Sequence, residues 1–395
     1  MKRLKNEFNS LVNRGVDRHL RLAVTGLSRS GKTAFITAMV NQLLNLHTGA
    51  RLPLLSAVRE ERLLGVKRVP QRDFGIPRFT YDEGLAQLYG EPPTWPTPTR
   101  GVSEIRLALR FRSSESLMRH FKDTSTLYLE IVDYPGEWLL DLPMLAQDYL
   151  TWSRQMTGLL QGHRAEWSAK WRTLCEGLDP LAPADENRLA AIAEAWTDYL
   201  HQCKQEGLHF IQPGRFVLPG DLAGAPALQF FPWPDVDAIG ESKLAQADKH
   251  TNAGMLRERY NYYCEKVVKG FYKNYFLRFD RQIVLVDCLQ PLNSGPQAFN
   301  DMRLALTQLM QSFHYGQRTL FRRLFSPVID KLLFAATKAD HVTVDQHANM
   351  VSLLQQLVQD AWQNTEKEGI SMNCLGLAST QATQGDGCTQ TNRYR

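Results

Sequence analysis

A phosphate-binding loop motif between a strand and a helix constrains this chain more than any other feature. The motif, G-x-x-x-x-G-K-[ST], begins at Gly26 and ends at Thr33. Residues 22–25 form a short apolar and β-branched run that predicts a buried strand, and residues 34–46 predict a helix. A glycine loop in this setting turns backbone N–H groups and a helix N-terminus toward one phosphate. The segment therefore predicts an α/β protein that binds a nucleotide.

The positions of this loop have separate expected roles. The residues predicted to contact nucleotide are Gly26, Ser28, Arg29, Ser30, Gly31, Lys32, Thr33 and Ala34. We predict that Lys32 reaches the β- and γ-phosphates and acts in catalysis. The Thr33 hydroxyl is expected to bind Mg²⁺, so the loop would hold both the triphosphate and its metal ion.

Composition is that of a globular cytosolic protein. Of the 395 residues 43% are hydrophobic and 22% are charged. No run approaches the roughly 18 apolar residues of a membrane-spanning helix. The six cysteines are scattered without metal-site spacing, which favours reduced thiols. A formal net charge of +5 does not argue for nucleic-acid binding.

Residues 1–21 are basic and predict a leading helix packed on the domain, with an amphipathic membrane contact as the alternative.

A second motif, D-x-x-G, runs from Asp133 to Gly136 at the end of a strand predicted over residues 126–132. Residues 103–112 alternate polar and apolar side chains and predict its hairpin partner. We expect Asp133 to hold Mg²⁺ and the Gly136 N–H to meet the γ-phosphate. Glu137 then occupies the place of the residue that positions the attacking water. A carboxylate lacks the donor that an amide would offer, so we expect slow hydrolysis.

The region between the two motifs, residues 47–102, is predicted to be an irregular insertion that includes the first switch. Its segment EPPTWPTPTR is too rich in proline for a helix or a central strand. A threonine here should supply a second Mg²⁺ ligand, and we select Thr99, with Thr97 as the alternative. Arg29 or Arg100 could supply an arginine in cis that speeds hydrolysis, although a plain surface charge is the simpler expectation.

Residues 138–280 show helical periodicity and predict a mostly helical insertion within the nucleotide-binding core. The core would thus consist of residues 22–137 and 281–395. Aromatic and basic residues alternate over residues 260–279, as they do in sites for single-stranded nucleic acid. At helical spacing, one packed face and one solvated face is the simpler explanation, and we expect no nucleic-acid partner.

Residues 281–287, RQIVLVD, predict a buried parallel strand that also fits the loose Walker B pattern. Asp287 therefore competes with Asp133 for the Mg²⁺ role. We prefer Asp133 because Gly136 follows it and supplies the backbone of a switch, whereas nothing comparable follows Asp287.

A guanine-recognition motif is predicted at Thr337-Lys338-Ala339-Asp340, a T-K-x-D variant of N-K-x-D that follows an apolar strand. The Asp340 carboxylate would accept hydrogen bonds from guanine N1–H and the exocyclic amine, whereas adenine has no donor at N1. The stem of Lys338 would lie flat against the base, and Thr337 would hydrogen-bond to the phosphate-loop backbone. Ser379 and Thr380 follow another predicted strand, residues 371–378, and by position alone would contact guanine.

Four segments together resemble the YcjX family of bacterial P-loop proteins: GLSRSGKTAFIT, EIVDYPGEWLLDL, LVDCLQPLNSG and FAATKADHV. The resemblance extends to about residue 381. It implies a Ras-like P-loop GTPase core with added helical regions, and a role in the envelope stress response of Gram-negative bacteria. It also implies a membrane-protein neighbour, YcjF, that would hold the cytoplasmic protein beside the inner membrane.

The expected function is therefore that of a Mg²⁺-dependent switch that binds GTP or GDP and slowly hydrolyses GTP. Two other classes fit the same motifs. An ATPase with Asp287 as its acid would prefer ATP. A pseudo-GTPase scaffold would bind nucleotide without hydrolysing it.

Overall fold

The computed structural model describes residues 18–45, 62–98, 100–112, 124–315, 329, 331–366 and 371–378. Within them a seven-stranded sheet has the order β2-β3-β4-β1-β5-β6-β7. The strands are β1 (Arg18–Gly26), β2 (Leu63–Arg68), β3 (Ser103–Arg112), β4 (Thr124–Asp133), β5 (Arg281–Val286), β6 (Lys331–Ala336) and β7 (Ser371–Gly376). The β2–β3 and β3–β4 pairs are antiparallel, and the other four pairs are parallel. The predicted α/β architecture with a mostly parallel sheet is confirmed.

Helices cover both faces of this sheet. They are α1 (Lys32–Leu44), α2 (Tyr81–Leu88), α3 (Tyr149–Gly158), α4 (His163–Trp167), α5 (Ala169–Cys175), α6 (Glu186–Gln205), α7 (Gly214–Val217), α8 (Val236–Ile239), α9 (Glu241–Ala245), α10 (Asn252–Tyr262), α11 (Lys269–Asn274), α12 (Leu289–Ser294), α13 (Pro296–Tyr315) and α14 (His347–Glu366). A π-helical turn, Tyr263–Val268, joins α10 to α11. The long helix α6 begins at a capping aspartate, Asp185, which accepts a hydrogen bond from the Arg188 N–H.

One face of the sheet packs against α1 and α2. Its core includes Val24 of β1 and Leu129 of β4, together with Ile36 and Val40 from α1. These side chains are at most 6% exposed, so α1 is fixed against the strand that precedes the phosphate loop. The start of α1 is thereby held at the carboxyl end of β1.

The opposite face packs against residues 138–280, which contain α3 to α11, and against α13 and α14. One continuous apolar cluster extends from Ala23 and Val132 on the sheet through Trp138 to Trp196 of α6. It also includes Met350 of α14. The helical region and the sheet therefore share a single core on this side.

The prediction of an irregular region over residues 47–102 is wrong for two segments, which form β2 and α2. Strand β2 lies at the sheet edge, and none of its residues is buried, so its sequence has no apolar alternation. Helix α2 has eight residues and buries only Tyr81 and Gly84, which leaves a weak helical pattern. Residues 46–61 lie outside the described part of the chain.

The prediction of a basic helix over residues 1–21 is wrong for its last four residues. Residues 18–21 are the start of β1, where Arg18 pairs with Leu127 of β4. The Arg21 guanidinium lies 3.2 Å from the Glu104 carboxylate, which satisfies its charge beside the sheet. Residues 1–17 lie outside the described residues.

Candidate nucleotide-binding site

The phosphate loop connects β1 to α1 as the motif predicts. Gly31 has a φ of 75°, in the left-handed region that glycine adopts without strain, and α1 begins at the next residue. Arg29 also has a positive φ, 64°, and the Ser30 N–H donates to the Leu27 carbonyl over 3.2 Å. Thr33 and Ala34 are buried in the first turn of α1, and Ser28 is half-buried. The loop therefore has the compact form that an anion-binding turn requires.

The end of β4 lies directly beside this loop because β1 and β4 are neighbours, with Val24 opposite Asp133. The Lys32 ammonium is 2.8 Å from Oδ1 of Asp133, whose carboxylate is 1% exposed. The same ammonium donates to the Tyr134 carbonyl over 2.7 Å. Two residues predicted for the phosphate and the metal ion are thus brought together at one point.

The backbone of Gly136, in the second motif, lies against the backbone of the phosphate loop. A Cβ at this position would lie 2.3 Å from the carbonyl oxygen of Gly26, closer than any side chain permits. The two backbones therefore touch only because position 136 is glycine. The peptide predicted to meet the γ-phosphate consequently lies against the loop predicted to cradle the phosphates.

Glu137 contacts a residue that no sequence motif indicated. It is buried, and its Oε1 accepts a hydrogen bond from the ammonium of Lys204 in α6 over 2.7 Å. The residue after Lys204, Gln205, offers its carbonyl to the guanidinium of Arg29 over 2.8 Å. Both arginines considered for a role in cis, Arg29 and Arg100, are exposed, and Arg29 makes this contact.

Asp287 at the end of β5 has different partners from Asp133. Its Oδ2 lies 2.5 Å from the Lys338 ammonium, and its Oδ1 accepts from the N–H groups of Leu289 and Gln290. These two backbone donors begin α12, so the carboxylate holds the turn that starts this helix. The carboxylate that contacts the phosphate-loop lysine is Asp133.

The T-K-x-D segment follows β6, and Lys338 has a left-handed φ of 61°. The expectation that Thr337 bonds to the phosphate loop is wrong: its hydroxyl donates to the Val286 carbonyl of β5 over 3.4 Å. Its N–H donates to the same carbonyl over 2.9 Å, because β5 and β6 are paired and Thr337 directly follows β6. Asp340 lies in a short 3₁₀ turn, Ala339–His341, and is half-buried.

Three predicted site residues lie outside the described part of the chain: Thr99, Ser379 and Thr380. The alternative to the first of these, Thr97, is hydrogen-bonded to Gln87 of α2 through both its N–H and its hydroxyl. Strand β7 ends at Gly376, and the Leu377 N–H donates to the Ala336 carbonyl over 2.8 Å. The Leu377 carbonyl in turn accepts from the Ala339 N–H over 3.1 Å, so residue 377 lies beside the T-K-x-D loop.

Two buried titratable groups flank the site. Burial raises the pKa of Asp141 to about 7, although hydrogen bonds from the Tyr263 hydroxyl and the Gly214 N–H partly oppose this. Burial lowers the pKa of His209, against the opposing effect of the Asp301 carboxylate. Both groups lie in the helical region or its connection to the core.

The described residues contain no group of three or more His, Cys, Asp or Glu side chains arranged to hold a metal ion. A Mg²⁺ ion held by two hydroxyls, one carboxylate and phosphate oxygens needs no such group, because Mg²⁺ keeps several waters and few protein ligands. Within the same part of the chain, no helix has the length and apolar character needed to cross a bilayer.

Comparison with known proteins identifies the family of this chain. The profile of the YcjX-like family, DUF463, matches residues 20–394. A protein of Escherichia coli K12 named "Ras-like GTPase YcjX" is 91% identical over 383 residues, which cover 97% of this chain and 82% of that protein. One of Shewanella oneidensis with the same name is 46% identical over 396 residues, covering 97% of this chain and 81% of that protein.

These relatives and the sheet order agree with the Ras-like α/β fold predicted from the sequence, which is thereby confirmed. The match extends over nearly the whole chain and includes the phosphate loop, the D-x-x-G segment and the T-K-x-D segment. The chain therefore belongs to the YcjX-like family, DUF463.

Proposed function

We propose that this protein binds guanine nucleotides with Mg²⁺ and slowly hydrolyses GTP to GDP and phosphate, as a nucleotide-controlled switch. The contact between Gly136 and Gly26 carries the proposal, because it places a D-x-x-G backbone against a phosphate loop. Relatives that bear the name Ras-like GTPase support the same chemistry. The Lys32–Asp133 pair would supply a cation for the phosphates and a carboxylate for the metal ion in phosphoryl transfer.

The proposed metal ligands are the hydroxyls of Thr33 and Thr99 and the carboxylate of Asp133. These are hard oxygen donors of the kind that Mg²⁺ prefers. When bound, the ion would neutralise phosphate charge during transfer. Lys32 would exchange its present contact with Asp133 for the β- and γ-phosphates, which leaves the carboxylate free to face the ion.

Guanine recognition is assigned to Asp340, with Lys338 against the base. We propose that Lys338 leaves its ion pair with Asp287 when the base enters, or keeps it while its stem packs on the ring. Thr337 would act indirectly by fixing this loop to β5 through the Val286 carbonyl. Ser379 and Thr380 are proposed to contact the other edge of the base.

We expect slow turnover because of the chemistry and the contacts of the Glu137 carboxylate. Its carboxylate already accepts a hydrogen bond from Lys204 and has no donor for the attacking water. A carboxylate can accept a proton from that water, but it cannot hold the water by donation. A long-lived GTP state would suit a switch whose loops are ordered by the γ-phosphate.

Membership of the family is the sole support for the cellular part of the proposal. We propose that the switch acts in the bacterial envelope stress response, in the cytoplasm beside the inner membrane, with a YcjF-type membrane protein as partner. Co-purification of the two proteins from solubilised membranes, compared between the Lys32→Ala variant and the parent, tests this directly. Equal recovery of the partner in both cases would contradict control by nucleotide.

Calorimetric titration tests the nucleotide preference. GDP, a non-hydrolysable GTP analogue and the matching ATP analogue are each titrated with Mg²⁺ into the parent and into Asp340→Ala. We expect at least about a hundredfold preference for guanine, worth roughly 2.7 kcal/mol, and its loss in the variant. Equal or tighter binding of the ATP analogue would instead favour an ATPase.

Single-turnover hydrolysis of GTP tests the enzyme assignment. A slow release of phosphate that disappears in Lys32→Ala supports the GTPase. Tight guanine binding with no release above the variant's background would identify a scaffold that binds nucleotide without turnover.

A further inference from the structure

The C-terminal turn of α6 contacts both phosphate-binding segments of the core. Lys204 lies 2.7 Å from the Glu137 carboxylate, next to Gly136, and the Gln205 carbonyl accepts from Arg29 in the phosphate loop. Lys204 and Glu137 are 67 positions apart in the chain, so this contact depends on the packing of the helical region. A residue of that region therefore enters the immediate surroundings of the proposed γ-phosphate position.

A carboxylate, Glu137, lies beside the proposed phosphate site and is paired with the Lys204 ammonium. The Glu137 side chain is 8% exposed and the Lys204 side chain 25% exposed, so solvent screens the pair only in part. The preceding peptide, at Gly136, touches the phosphate loop. A bound triphosphate would therefore bring additional negative charge close to a buried carboxylate, and the two would repel each other in a medium that screens charge weakly.

Two other cations of this region, Lys32 and Arg29, have partners of their own. Lys32 is 2.8 Å from Asp133, and the Arg29 guanidinium binds a helix carbonyl. Lys204 is the cation that lies against Glu137, and the last turn of a helix favours a positive side chain. Removing one partner of a largely buried pair leaves the other charge without compensation.

We propose that Lys204 determines the preference of the site for triphosphate over diphosphate nucleotides, by neutralising Glu137 beside the γ-phosphate position. This inference rests on the proposed guanine nucleotide binding. In this proposal Lys204 acts through Glu137, so it is a positioning residue. GDP lacks the γ-phosphate, so its affinity should be almost independent of this pair.

Titration of GDP and of the non-hydrolysable GTP analogue tests the proposal on the full chain. In Lys204→Met we expect the analogue to bind about tenfold more weakly, while GDP affinity stays within about twofold. Lys170→Met is the matched control. Lys170, in α5 of the same region, pairs with Asp198 over 3.0 Å, but the two side chains are 68% and 57% exposed. This variant should leave both affinities unchanged.

Charge neutralisation has a second signature that a structural role lacks. Because an amide carries no charge, Glu137→Gln combined with Lys204→Met should restore analogue affinity to within about threefold of the parent. Lys204→Arg should retain it. A double variant as weak as Lys204→Met alone, or an equal loss of GDP and analogue, would overturn the proposal.

Guanine nucleotide binding and the role of Lys204 predict different negative results. If the parent binds neither guanine nucleotide, the proposed function is wrong. If the parent binds both and Lys204→Met leaves the ratio of the two affinities unchanged, guanine nucleotide binding stands and only the role of Lys204 is refuted.

Discussion

Breaking the buried ion pair between Arg164 of α4 and Asp301 of α13 should destabilise the fold more than breaking an exposed pair. The Arg164 guanidinium lies 2.6 Å from Oδ1 of Asp301, and the side chains are 8% and 6% exposed. It also donates to the Phe210 carbonyl over 2.7 Å and to the Tyr199 hydroxyl over 2.9 Å. The pair therefore ties α4, α6, α13 and the segment after α6 together.

Replacement by Arg164→Met removes the cation but leaves the buried carboxylate. Breaking one side of a buried pair costs about 3–5 kcal/mol. The other oxygen of Asp301 keeps the N–H groups of His209 and Phe210, at 2.5 and 3.0 Å, which continue to stabilise the charge. We therefore expect a loss near the lower limit, about 3 kcal/mol of unfolding free energy.

Equilibrium unfolding in guanidinium chloride, followed by tryptophan fluorescence, measures this loss. Trp171 and Trp196 are buried in the helical region and report its packing. Lys170→Met removes an exposed pair and should cost less than about 1 kcal/mol. A loss below about 1 kcal/mol in Arg164→Met as well would refute the argument from burial.

A double variant separates the unpaired charge from the lost contacts. Asp301→Asn keeps an oxygen for the two backbone donors and removes the negative charge. Combined with Arg164→Met, it should recover at least about half of the lost stability. No recovery would mean that packing of the arginine stem, and not charge, accounts for the loss.

Three further predictions concern close contacts and one titrating group. Gly136→Ala should weaken GTP-analogue binding by about tenfold in calorimetry, because its Cβ would meet the Gly26 carbonyl, whereas Gly101→Ala, with open space at its Cβ, should not. Gly254→Ala, in α10, places a Cβ 1.8 Å from the carbonyl oxygen of Asp248 and should destabilise by about 2 kcal/mol, whereas Gly270→Ala, open in α11, should be neutral or stabilising. Asp141 has a raised pKa of about 7, so the folded state holds its proton more tightly than the unfolded chain does. Its contribution to stability is therefore full below about pH 4 and lost as the pH rises to about 7. Asp141→Asn should gain stability relative to the parent between about pH 5 and pH 8 in denaturant titrations, and a constant difference would contradict the assignment.

Strong local patterns made much of the sheet predictable. Polar and apolar side chains mostly alternate over residues 103–112, and β3 has the same bounds. Its apolar side chains Ile105, Leu107, Leu109 and Phe111 pack in the core. The apolar run at 281–287 became β5, which ends one residue earlier, at Val286. Strand β2 was not predicted because it lies at the sheet edge, where none of its side chains is buried and no apolar pattern is required. Local sequence thus predicted the strands with clear apolar patterns and missed β2, which has none.

The candidate site was predictable in its motifs but not in its contacts. Lys32 and Asp133 follow two predicted strands that are parallel neighbours in the sheet, so the carboxyl ends of β1 and β4 bring them together. The Thr337 hydroxyl bonds to β5 because the backbone at the end of β6 turns toward that neighbour. Lys204 could not be identified from any motif, since its contact with Glu137 depends on how α6 packs on the core.

The apolar cluster shared by the sheet and the helical region has a consequence for how this architecture can change. Excision of residues 138–280 would strip the cover from Ala23 and Val132, on the two strands that lead into the phosphate loop and the D-x-x-G segment. The shortened chain would expose a large apolar surface and is expected to aggregate. The helical region therefore cannot be exchanged as a separate unit between nucleotide-binding proteins. A substitution in its core is expected to require a compensating substitution in the sheet.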